Sequence, residues 1–121
     1  MNQAAKTYGK VANKISTPRE LEANLLLDAA CRLQMVRDAW TDNNGNLGPA
    51  LNYNRKLWTF LISAVTNNDN PLPREIRQNI ANIGIFVCKQ TLATLADPKP
   101  QNLGSLININ RELAAGLLTR A

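Results

Sequence analysis

Six prolines punctuate the chain, and all stand in or beside short polar breaks: Pro18, Pro49, Pro71, Pro73, Pro98 and Pro100. Proline has no amide hydrogen and its ring collides with the preceding turn. It is therefore tolerated in the first turn of a helix and not in the interior. The stretches between these breaks leave room for one helix each. Their apolar residues are mostly Leu, Ile and Ala rather than aromatics, which favours helix over sheet. No stretch shows a strand signal of comparable strength.

The clearest helix start is "STPRELEANLLLDAACRLQMVRDAW". Thr17 is placed as N-cap, Pro18 as first helical residue and Glu20 as the partner that closes a capping box. Leu21, Leu25, Ala29, Leu33, Val36 and Trp40 predict the inner stripe, widened by Leu26, Leu27, Ala30 and Cys31. Asp28 and Arg32 form an i,i+4 pair on the opposite side. Residues 3–15 predict a short amphipathic helix through Ala4, Tyr8, Val11, Ala12 and Ile15. Gly9 weakens it by about 1 kcal/mol, so it is expected to form only when docked, on this chain or on a partner.

"TDNNGNLG" reads as a mobile turn. Pro49 opens the next helix, to about Thr66, and Pro73 opens another, to about Ala96. From Ile80 onward this last segment is apolar on almost every side, which predicts the central helix of the bundle. Asn79, Asn82 and Phe86 form a strip beside the stripe Ile76, Ile80, Ile83 and Val87. Gly84 implies close approach of another segment, from the same chain or from a partner. "DPKPQ" is the next break. A final helix from about Gln101 to Leu118 turns Leu103, Leu106, Ile107, Asn110, Leu113, Ala114 and Leu117 inward. Asn110 needs a hydrogen-bond partner there or a place at an edge. The expected architecture is all-α: one domain over residues 1–121, a bundle of about five helices with short Pro/Asn/Gly-rich connections.

The formal charge is +5, concentrated before residue 21 and after residue 70. Without a dense Lys/Arg run or a recognisable module, this argues against direct nucleic-acid binding. An acidic protein partner accounts for the charge. Histidine is absent, and Cys31 and Cys88 lack metal-ligand spacing. No Gly-rich phosphate loop or paired-acid motif appears. The expectation is a protein that is not an enzyme and holds no metal or cofactor. The N-terminal residues lack the apolar core of a signal peptide, and no apolar run is long enough to span a membrane. A cytoplasmic protein with reduced thiols is expected.

"YNRKLW" sets Tyr53, Asn54, Arg55 and Trp58 within six residues. Tyr, Trp and Arg are enriched at binding hot spots. The same residues also suit a half-buried helix whose aromatics fill the core while Arg55 and Lys56 face water. Asn79, Asn82 and Phe86 carry the same duality, as packing residues or as the wall of a partner groove. The candidate partner-binding set is therefore Tyr53, Asn54, Arg55, Trp58, Asn79, Asn82 and Phe86.

Four ordered blocks, "PRELEANLL", "YNRKLW", "NPLPREIRQNIANIGIFV" and "INRELAAGL", give the chain a resemblance to the FlaF family of flagellar biosynthesis proteins. The resemblance implies a small cytoplasmic factor that acts in flagellin production and export alongside FlbT. It implies a chaperone-like role, in which an amphipathic terminal helix of flagellin is held before export and reports the unexported pool. Alternatives are an adaptor that binds FlbT or the export apparatus without holding flagellin, and a binder of flagellin messenger RNA.

Overall fold

The computed structural model describes residues 17–41 and 45–119, and these are helical throughout apart from the connections. Helix α1 covers Pro18–Asp38, α2 Leu47–Thr66, α3 Arg74–Ala96 and α4 Gly104–Thr119, with a 3-10 turn at Pro100–Leu103 before α4. The all-α class is as expected. Among the described residues there are four α-helices rather than five, and the helix expected over 3–15 lies outside them. The final helix is also divided: its expected first turn is the 3-10 segment, and Gly104 begins the α-helix proper.

The start of α1 follows directly from its sequence. Thr17 Oγ1 accepts from the Glu20 amide at 3.1 Å, and the Thr17 amide donates to Glu20 Oε2 at 3.3 Å. Two amides that the first turn would leave unpaired are satisfied reciprocally. The buried side of α1 is Ala23, Leu26, Ala29, Ala30, Leu33 and Val36. The expected stripe is thus rotated: Leu21 and Cys31 are exposed, and Leu25 is only half-buried. The shift is small in angle, because neighbouring i,i+3 and i,i+4 rows differ by a fraction of a turn.

Helices α1 and α4 pack most extensively on each other, and α2 lies between α1 and α3. Arg77 fastens the α2–α3 corner. Its guanidinium donates to the carbonyls of Leu72, Val65 and Asn67 at 3.2, 3.5 and 3.4 Å. Carbonyls at the end of α2 have no intrahelical partner, so a cation there satisfies them and suits the helix dipole. Asn70 completes the corner by donating to the Ala64 carbonyl and accepting from the Leu72 amide.

The third helix corrects an expectation. It packs on α2 and touches the 3-10 turn, and is lateral rather than central. Gly84 makes the α2 contact close. A Cβ there would stand 2.6 Å from both Cγ1 and Cδ1 of Ile62 and 3.4 Å from Cε3 of Trp58. The close approach that Gly84 implied is therefore made by a helix of the same chain.

Candidate functional site

The seven candidate residues separate into an interior group and a surface group. Asn54 and Trp58 are fully buried. Trp58 Nε1 donates to Asn110 Oδ1 at 2.9 Å, and Asn110 Nδ2 donates to Asn54 Oδ1 at 2.7 Å and to the Leu26 carbonyl at 3.4 Å. Indole nitrogen can only donate, so it fixes the orientation of the Asn110 amide, and Asn110 in turn fixes Asn54. The network ties α1, α2 and α4 across the core. Asn110 thus has the partners its inward position required. Asn54 Nδ2 is left without one in the protein. Neither Asn54 nor Trp58 presents surface to a partner in this fold; together they position α2.

Tyr53 is half-buried against α1. Its hydroxyl donates to Asp28 Oδ2 at 2.7 Å, and the Arg32 guanidinium lies 4.2 Å from its ring centroid. Arg32 also pairs with Asp28 at 3.1 Å. Burial, then the bond to Asp28 and its charge, push the phenol above its ordinary 10.0, with Arg32 opposing. It therefore stays protonated and donating at neutral pH. Arg55 is exposed and donates to Asn52 Oδ1 at 2.7 Å.

Asn79, Asn82 and Phe86 are exposed on one strip of α3. Asn82 Oδ1 accepts from Gln78 Nε2 at 3.0 Å, a bond within the helix surface rather than to loop backbone. Asn79 joins Arg74, Glu75 and Gln78 around a shallow hollow of about 370 Å³. A second hollow, about 330 Å³, runs between the end of α2 and the start of α3 past Val65, Arg77 and Ala81. A hollow of about 420 Å³ between the end of α1 and the start of α2 contains none of the candidate residues.

Beside this strip lies a surface of which the candidate set contains only Phe86. In the second half of α3 the burial pattern is inverted. Thr91 and Thr94 are buried, while Leu92 and Leu95 are 66% and 49% exposed. The threonines tolerate burial because each hydroxyl donates to the carbonyl four residues back, Thr91 to Val87 and Thr94 to Gln90, at 2.7 Å. Ile85 is 54% and Phe86 45% exposed on the same helix. A cluster of this kind on one helix departs from the scattered exposed apolar residues of ordinary surfaces. The signal was present in the sequence. Ile85, Leu92 and Leu95 recur at helical spacing, out of phase with Ile80, Val87 and Thr91. Two apolar phases on one helix mean two apolar faces.

Among the described residues, no helix is long and apolar enough to cross a membrane. No group of three or more His, Cys, Asp or Glu side chains gathers there as metal ligands. The model of one protein family, described as flagellar protein FlaF, matches residues 4–117. No curated protein and no solved structure matches the chain.

Proposed function

The chain belongs to the FlaF family of flagellar proteins, and on that premise we propose that it is a flagellin-binding export chaperone that also regulates flagellin production. The observation that carries this reading is the outer face of α3, where leucines face outward and threonines inward. A helix of a client laid on that face would cover its own apolar side and that of α3 together, as in helix-in-groove recognition. Asn79 and Asn82 border the face and supply amides for a client's polar edge. The net charge of +5 would speed encounter with an acidic client, most strongly at low salt. Binding of unexported flagellin would make the occupied fraction a measure of the export backlog, which is what a regulator of production requires.

The role is tested by co-expressing the chain with flagellin, purifying one and assaying for the other, then repeating with either flagellin end removed. The reading predicts co-purification that depends on one amphipathic end. Recovery of FlbT or export components without flagellin would replace it with the adaptor role.

A further inference from the structure

We infer that the outer seam of α3 seats one helix of a partner protein, with apolar residues at alternating three- and four-residue spacing and acidic residues on its flank. The inference rests on the proposed role of this face as the client site and states the chemistry of the helix that fits it. Ala81, Ile85, Cys88, Leu92 and Leu95 follow one another at steps of four, three, four and three. That spacing makes a straight seam of the coiled-coil type. Ile85, Leu92 and Leu95 are exposed, Cys88 is partly buried, and Ala81 ends the seam where it packs against the core; the seam is about 21 Å long.

The flanks determine what fits. One flank, at Gly84 and Thr91, is buried within the protein. The free flank presents Asn82 and Lys89, both exposed. From Gln78 to Ala96, Lys89 is the only charged residue of α3. Two heptads fall short of the three to four that usually sustain a coiled coil, so flank contacts decide the pairing. A second copy fits badly: an antiparallel pair centred on Cys88 brings the two Lys89 side chains together, and a parallel pair sets Lys89 beside uncharged Gly84 and Thr91. Residues 3–15 of this chain also fit badly, because they contain no acidic residue and the charge that stands beside their apolar stripe is the cation Lys14. An acidic flank meets Lys89 with opposite charge, and this is the arrangement by which flanking residues select a coiled-coil partner.

The test is calorimetric titration of the full chain with two synthetic helical peptides. Both carry leucine at the seam positions; one has glutamate and the other lysine at the flanks. The glutamate peptide is expected to bind, with affinity falling about tenfold or more for the lysine peptide and for a Leu92→Gln/Leu95→Gln variant. Lys89→Glu is expected to reverse the peptide preference. A Met35→Gln/Phe60→Gln variant, altered at exposed apolar residues of α1 and α2, should bind as the unaltered chain does. Binding of neither peptide, or equal binding of both by every variant, overturns the inference. A dimer by sedimentation that Leu92→Gln/Leu95→Gln dissociates would assign the seam to a second copy and overturn it. Peptide binding that appears only in a Val11→Asp/Ile15→Asp variant would assign the seam to the chain's own N-terminal segment, with the same consequence.

Discussion

Inside the apolar core, one polar residue holds three helices in register. Asn110 accepts from Trp58 and donates to Asn54 and the Leu26 carbonyl. Asn110→Ala would strand the Trp58 N–H and the Asn54 carbonyl in the buried core. At about 1–3 kcal/mol for each of the two stranded groups, the expected loss is about 2–6 kcal/mol, measured by urea unfolding. Trp58→Ala reports on the same core, so lost partner binding in that variant is interpretable only if the protein remains folded. Glu22 gives a pH test. Burial raises its carboxyl above the ordinary 4.5, with Arg19 opposing. The folded state therefore holds the proton more tightly than the unfolded chain does, and stability falls as pH rises through that window. Glu22→Gln should raise the melting temperature at pH 7, and the gain should vanish below about pH 4. A gain that persists unchanged at low pH would mean that charge is not its cause.

At the scale of the element, local signals in the sequence specified ends and one face well, and specified the number of faces poorly. The Thr17–Glu20 box and the buried side of α4 are determined within a few residues, by capping chemistry and by one apolar period. "YNRKLW" could not be resolved that way, because the same residue types serve a core and a hot spot. The structure divides them, with Asn54 and Trp58 inside and Arg55 outside. The second half of α3 misled for a related reason. All-round apolarity marks surfaces that favour cover, but it does not say whether the same chain provides the cover. Gly84 offers a direct test of the cover that is present. Gly84→Ala gains about 1 kcal/mol of helix propensity, but its Cβ overlaps two carbons of Ile62. Overpacking costs about 1–3 kcal/mol, so net destabilisation is expected. Ile62→Ala in the same chain removes the overlap. A double-mutant cycle should therefore show favourable coupling between the two substitutions, and additive effects would show that the two side chains do not collide.

At the scale of the whole molecule, α1, α2 and α4 form a core joined by one amide network, and α3 is applied to its side through α2. This division lets the outer face of α3 change without cost to the core. Leu92→Gln/Leu95→Gln should leave the unfolding midpoint nearly unchanged, within about 0.5 kcal/mol per substitution, as for surface positions free of special packing. The same pair should lower the tendency to self-associate or bind apolar dyes, since it shortens the exposed apolar strip. In the proposed function this face, rather than the core-facing aromatics, meets flagellin. Calorimetric titration of purified flagellin with the full chain and with Leu92→Gln/Leu95→Gln tests it most directly. An affinity lowered about tenfold or more is expected in a variant that unfolds like the unaltered chain, whereas equal affinities in two equally stable proteins would mean that flagellin binds elsewhere.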